Sequence, residues 1–445
     1  MRFPMALSRP QPEPPSHPAS SDRAEPTSAY EWYVLGVLFL IYVVAYIDRQ
    51  VMSVLLQPIK QEFGASDTAM GFLSGIAFAI FYVCVGMPIA RWSDRGVRRS
   101  IIALAVAVWS AMTAATGAAQ SYTHLLLARI GVGIGEAGGG APAHSLVSDY
   151  FPPARRATAL GILTTGGAVG MMLGLSLGGW LGDRYGWRVA FIALGLPGLA
   201  VALLVRWTVR EPPRGRFDAG AAAPARRDST WGVVRYLWAF RSFRWLSLAA
   251  TLHVFAGYGA ATWNPTFLVR VHGMSLTEAG FWLGPITGIC SGVGAALWGM
   301  LADRLGRRDE RWYMLLPAVG SLCALPFAYG FILWPDPLGA VLFLVPSSLL
   351  GNCYSGATFA MTQGLARPHM RALAAAFILL VMNLLGFGLG PFIVGAMNDW
   401  LMPRYGTAAI RYSLLIIALP HVLAAVLNLL AARSLREDLA AARRG

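Results

Sequence analysis

Charge is scarce in this 445-residue chain: only 13% of its residues are Asp, Glu, Lys or Arg, roughly half the share found in soluble domains. Hydrophobic residues make up 56% and the mean hydropathy is +0.54, which together exclude a string of ordinary soluble domains. Cysteine is scarce as well. Cys84, Cys290, Cys323 and Cys353 all fall in apolar runs, with no zinc spacing and no sign of extracellular pairing. No nucleophile–base–orienter set and no metal cluster emerges, so neither an enzyme nor a cofactor is expected. A signal peptide is missing too. The opening residues contain PQPEPPSHPASSDRAEP, with no apolar core and too much proline for a helix. Residues 1–30 read as a disordered cytoplasmic tail.

Apolar runs of membrane length are abundant instead. Twelve can be laid out, at about 33–57, 69–91, 98–118, 121–147, 158–182, 188–208, 243–269, 278–301, 312–331, 337–364, 371–398 and 408–432. Between the sixth and seventh lies VREPPRGRFDAGAAAPARRDST, which cannot span a bilayer and reads as a linker. A short interface-lying helix is expected after it, around WGVVRYLWAF. The organisation predicted is a six-helix bundle at 31–208, a cytoplasmic linker at 209–242, a second six-helix bundle at 243–432 and a tail at 433–445.

The net charge of +14 would suit a nucleic-acid binder, but its placement argues for topology. Of the 36 basic residues, 28 lie in the tails and even-numbered connections, and six in the odd-numbered ones. Both termini are therefore expected in the cytoplasm, with no nucleic acid as partner.

The halves repeat. ARWSDRGVRR (90–99) follows the second span and GMLADRLGRR (299–308) the eighth, placing Asp94 and Asp303 209 residues apart. Gly170, Gly174 and Gly178 recur every four residues in the fifth span, with Gly386 and Gly390 in the eleventh. Two similar halves in tandem is the plan of one large class of transporters.

At these residues the chain resembles the major facilitator superfamily, from about residue 31 to 432. GMLADRLGRR matches the superfamily signature G-x-L-A-D-R-x-G-R-R, in the second half. The first-half copy is looser, with Ala90 for the first glycine and Gly96-Val97 in swapped order. The fifth span resembles the antiporter-associated motif, except that Leu175 stands where that motif has proline. YIDRQVMSVLLQPIKQEFGASDTAMGFLSG and ARIGVGIGEAGGGAPAHSLVSDYFPPARRATALG look like the Spinster family of lipid transporters and its bacterial relatives.

The resemblance implies an all-α polytopic membrane protein with the major facilitator fold. Twelve transmembrane helices would form two pseudo-symmetric six-helix bundles, in a monomer in the bacterial inner membrane among its lipids. It also implies proton-linked transport by alternating access of an anionic amphiphile, such as a lysolipid or sphingolipid phosphate. The rivals are a proton-driven multidrug exporter, an importer of small organic acids, and a membrane scaffold that transports nothing.

Charges inside spans are rare and mark ion or substrate paths more often than mere packing. By the boundaries above, Asp48, Arg49, Arg129 and Glu136 are the ones well inside a span. The stretch Gly133–Gly138 fits a dinucleotide fingerprint, but that motif needs a strand before it, not a membrane helix around it. Arg129 and Glu136 are two turns apart and share a helix face, at depths that bracket Asp48. With both helices lining the cavity, as in the superfamily, Asp48, Arg129 and Glu136 are expected to meet. Asp48 and Glu136 are the candidates for proton coupling. Arg129 is expected to alternate between a carboxylate and an anionic substrate. Arg49, about 100° round the helix from Asp48, is read as holding the first helix against a neighbour and as a further substrate contact.

Trp263, Asn264, Asn352 and Tyr354 mark polar breaks in spans seven and ten and are candidate substrate contacts. His144, His253 and His421 are given no role. The second half has no deep charge, so the substrate's head is expected in the first half and its tail along the second. Asp94, Arg95 and Arg98, with Asp303 and Arg304 in the repeat, are expected to latch a cytoplasmic gate. Asp94 would sit at the N-terminus of another helix.

Overall fold

The computed structural model describes residues 28–217 and 229–444. The expected N-terminal tail up to residue 27 and the middle of the linker, 218–228, lie outside the described residues. Within them the chain is almost wholly helical, because in hydrocarbon every backbone N–H and C=O must find its partner inside the chain.

The first passage is Ala29–Phe63; Glu31 reaches back to the Ser28 N–H at 3.1 Å, and Gly64, at φ 60°, ends the helix. The second runs Asp67–Ser74 and Ile76–Arg95, broken at Gly75, and the third is Arg98–Thr116. The fourth is Tyr122–Glu136 followed by Gly140–Tyr150. The fifth and sixth form one stretch, Pro153–Thr208, turned at Gly186, whose φ of 82° a side chain would oppose. After the linker, Thr230–Ala239 forms the expected short helix, burying Val233 and Leu237 and exposing Trp231 and Trp238.

The seventh passage is Arg241–His272. The eighth is Leu276–Pro285, a wide π-turn at Ile286–Cys290, then Ser291–Gly306. The ninth is Trp312–Leu333, and the tenth Pro337–Gly351 with Ser355–Leu365. The eleventh holds Arg371–Val381, a second π-turn at Met382–Phe387, and Leu389–Tyr405. The twelfth is Ala409–Ala418 with Pro420–Arg444, so the stretch read as a tail continues as helix to Arg444. Among the described residues this makes six passages in each half. Large apolar side chains such as Leu127, Met300 and Leu342 face outward, as lipid contact requires.

The bundle has two unlike ends. One, here the terminal end, holds the first and last described residues. The other, the far end, holds the turns after passages one, three, five, seven, nine and eleven. There the halves are sewn together. Asp183, on passage five, accepts from the N–H groups of Leu276 (3.2 Å) and Thr277 (2.6 Å), which begin passage eight. Asp399, on passage eleven, accepts from the N–H groups of Asp67 (3.0 Å) and Thr68 (2.7 Å), which begin passage two, and from the Thr68 hydroxyl (2.6 Å). Each carboxylate meets the positive end of a helix dipole belonging to the other half.

Beside these caps, Asp67 is fully buried and pairs at 2.5 Å with both Lys60 and Arg270. The Arg270 pair crosses between halves. Glycines allow backbones to touch here. A Cβ on Gly395 would lie 2.2 Å from the Asp67 carbonyl oxygen, and one on Gly179 2.2 Å from that of Leu276. On passage eight, Cβ atoms at Gly280, Gly284 and Gly288 would meet the carbonyls of Leu175, Met172 and Ala168 on passage five within 2.7 Å.

Candidate functional site

A cavity of about 380 Å³ lies between the halves. On the first-half side it is lined by Tyr46, Arg49, Gln50, Ser53 and Arg129. Passages one and four bring all four deep charges to this region, three of them held apart from water: Asp48 is 0% exposed, Arg129 2% and Glu136 4%.

The pairing differs from the sequence expectation. Arg49, not Arg129, takes Glu136, through Nε at 2.6 Å and Nη2 at 2.5 Å, both on Oε2. Passage four breaks immediately after Glu136, at Ala137–Gly139, and Glu136 Oε1 is left buried without a partner. Close packing delivers the glutamate: a Cβ on Gly133 would lie 2.8 Å from the Phe78 carbonyl oxygen, and one on Gly135 2.6 Å from the Trp109 N. Arg49 also sits over the rings of Phe78, Tyr46, Tyr82 and Phe387 at 5.1 to 5.9 Å. Arginine stacks on aromatic faces while keeping its donors in plane, so Arg49 does bind the first helix to a neighbour.

Asp48 makes no ion pair, and neither of its oxygens has a hydrogen-bond partner of good geometry. Glu136, Arg129 and Arg49 are the charges acting on it, with the Thr113 hydroxyl alongside. Arg129 makes no ion pair either; its Nε is unpartnered and its guanidinium rests 5.6 Å from the Phe78 ring. The expected meeting of Asp48, Arg129 and Glu136 holds as a neighbourhood and fails as a bond, because Arg49 reaches Glu136 first.

On the second-half side, Asn264, Asn352 and Tyr354 line the cavity. Trp263 does not. It is 0% exposed and its Nε1–H donates to the Pro391 carbonyl oxygen at 2.9 Å. As the residue before Asn264 it turns about 100° away from the cavity. This wall is also less apolar than expected, since Ser321, His253 and His421 lie on it. Sequence reasoning missed the histidines because passages seven and twelve place them together only in the fold; His144, the third, bonds the Tyr42 hydroxyl at 2.7 Å.

Among the described residues, those expected to latch a gate make no contact between the halves. Asp94, Arg95, Asp303 and Arg304 are exposed at the terminal end, and Asp94 caps no helix among the described residues. Asp303 accepts from the Tyr313 hydroxyl at 3.0 Å within its own half. Arg98 is 1% exposed and spends its donors on Asp149, Ser145 (2.8 Å) and Glu211 (2.7 Å), on the first half and the start of the linker. Helix-end capping by an aspartate does occur between halves, at the far end instead. Asp183 and Asp399 were legible in principle, for they are 216 residues apart, the offset that also relates Gly174 to Gly390.

Comparison with known proteins bears on this geometry. The model of the Major Facilitator Superfamily matches residues 38–391. An MFS-type efflux pump of Mycolicibacterium smegmatis is 36% identical over 420 residues, covering 94% of this chain and 96% of that protein. A probable galactarate/D-glucarate transporter of Bacillus subtilis is 27% identical over 315 residues, 66% of this chain and 69% of its own. Among solved structures, a bacterial homologue of the human lysosomal transporter Spinster, inward-facing and unoccupied, superposes with a TM-score of 0.83. It is 33% identical and covers 92% of this chain and 98% of that one.

Proposed function

The chain belongs to the Major Facilitator Superfamily and is a multi-pass membrane transporter related to Spinster; from that premise we propose that it moves an anionic amphiphile by alternating access, driven by protons. The observation that carries the reading is Arg129: a buried guanidinium on the cavity wall with no ion pair. An unpaired buried charge is costly, and a guanidinium suits a carboxylate or a phosphate. Arg129 receives the anion. Asp48, buried and unpaired beside it, carries the coupled proton, and Glu136 is the second carboxylate, held by Arg49 until a proton or substrate competes. Burial and neighbouring guanidinium groups oppose each other at such a carboxyl, which poises it to exchange a proton as its surroundings change.

In this reading the far end is periplasmic and closed, the terminal end is cytoplasmic, and the gate signatures around Asp94 and Asp303 engage in the opposite state. The six-helix units are 31–208 and 243–432, and the protein works as a monomer in the bacterial inner membrane. A lipid phosphate needs cations at one end only, and burying its chain contributes about 0.8 kcal/mol per methylene.

A second reading, an importer of small organic acids, is favoured by the polar groups on the second-half wall: Asn264, Asn352 and the histidines. Uptake into proteoliposomes under an imposed pH gradient, across lysolipids, drugs and organic acids, separates the two. Uptake that rises with acyl length supports the amphiphile; citrate-like acids competing equally well overturn it. Arg129→Ala abolishes uptake and Arg129→Lys restores little of it, since lysine lacks the planar fork. Asp48→Asn keeps shape and removes the titration, so its uptake loses the pH dependence of the wild type. An unchanged pH dependence would remove Asp48 from the coupling role.

A further inference from the structure

His253, on passage seven, and His421, on passage twelve, face each other on the second-half wall with ring centroids 5.4 Å apart and planes at 66°. Their bonding fixes their tautomers. The hydroxyl of Ser321 has one hydrogen, and it donates to the Pro317 carbonyl oxygen. Toward His253 Nε2, 3.2 Å away, Ser321 can therefore only accept. An uncharged imidazole has one donor and one acceptor nitrogen, so Nε2 carries the hydrogen and Nδ1 is a bare acceptor. Nδ1 is buried and has no partner. His421 Nδ1 lies 3.2 Å from the Ala418 carbonyl oxygen, which can only accept, so its Nε2 is bare as well. Tyr354 stacks on His253 at 4.8 Å and 5°, holding that ring in place.

Two acceptors without donors thus meet on one wall of the cavity, opposite Arg129, which is all donors. We propose that His253 and His421 form a subsite for a hydrogen-bond donor of the substrate, a hydroxyl or amino group, so that the transported anion carries such a group beyond its charged head. The subsite rests on the reading of the cavity as an anion path and specifies what meets its other wall. A buried polar group left unpaired costs far more than a satisfied one gains. The wall therefore selects for the donor and against its methylated or deleted counterpart.

Matched probes test this. One pair is 1-oleoyl lysophosphatidate and its 2-O-methyl ether; the other is glucarate and adipate, six-carbon dicarboxylates with and without hydroxyls. Affinities are measured on the purified full-length protein. In each pair that binds, the hydroxylated member binds about tenfold more tightly or better. His253→Phe and His421→Phe keep the ring and remove the acceptor; each erases that preference, and binding of the hydroxyl-free member at least as tight as to the wild type shows that the variant is folded. Equal affinities within a pair for the wild type, or a preference that survives either substitution, overturn the subsite. Because the preference is read within a pair, it is scored whether lipids or acids bind, and the subsite and the amphiphile reading fail separately.

Discussion

At the far end, Asp183 and Asp399 each reach from one half to the first N–H groups of a helix in the other, whereas at the terminal end Asp94 and Asp303 stand exposed. The residue type is the same; the closeness of the halves differs. Glycine contacts at Gly179 and Gly395 bring backbones together at the far end, and only then can a short carboxylate find N–H groups across the gap. In the alternating cycle we propose, aspartates at both ends would let each end be held by the same local chemistry, one at a time.

This contrast can be broken from its strongest point downward. Accessibility is read with a single cysteine at Ser74, on the cavity lining, in a background without native cysteines, using a membrane-impermeant maleimide from the far side. Asp67→Ala has the largest effect. It leaves Arg270 and Lys60 facing each other without their shared carboxylate, and breaking a buried pair costs about 3–5 kcal/mol. Labelling should rise by at least a hundredfold; an unchanged rate would show that this cluster does not hold the end shut.

The caps come next. Asp183→Ala and Asp399→Ala each remove about 1 kcal/mol, roughly fivefold in labelling. The two effects add in the double variant because the caps share no partner. Asp399 should be the stronger of the two, since it also takes the Thr68 hydroxyl. A double variant no worse than either single would mean that the caps act as one unit.

Asp94→Ala and Asp303→Ala should not raise far-side labelling, because neither side chain crosses between the halves here; by weakening the opposite conformation they should lower it. Their effect belongs to the opposite conformation and shows as slowed uptake. The smallest effect is a local one. Asp309, in the turn before passage nine, has its carboxyl held below the usual range by the Arg311 backbone N–H and then by Arg436. A lowered carboxyl favours the folded form above its ordinary titration and loses that advantage as pH falls through the lowered value. The melting-temperature difference between wild type and Asp309→Asn should therefore be present at pH 7 and fade below the ordinary carboxylate range. A difference constant down to strong acid would remove the charge as its cause.

The twelve passages were legible because lipid demands long apolar helices, and composition alone carries that demand. The four deep charges were legible for the converse reason, since each is expensive where it stands. Their pairing was not. Helix phase sets Arg49 about 100° from Asp48, but it does not say how far a flexible guanidinium reaches or that passage four stops at Glu136. Asp67, Arg270, Asp183 and Asp399 were passed over because charges at helix ends resemble ordinary topology signals. Their function comes from contacts between halves, which no window of sequence contains. Trp263 misled for a simpler reason: it sits beside a cavity residue on a helix, and neighbours on a helix face different ways.

The π-turn at Ile286–Cys290 bears on how long a seam two straight rods can share. Four residues of an ideal α-helix turn through about 400°, overshooting a full circle by about 40°. A stripe at Gly280, Gly284, Gly288 and Gly292 would therefore wander about a third of the way round its helix. Yet all four still point at passage five, the last with its Cβ 3.7 Å from that of Ala168. A wider turn rotates less per residue, since its hydrogen bonds span i to i+5, and it takes the drift back out. With the same sequence wound as a regular α-helix through 286 to 290, Gly292 would lie about 120° from Gly280 and swing off the line. The eighth passage would then lie against the fifth for about two turns instead of three.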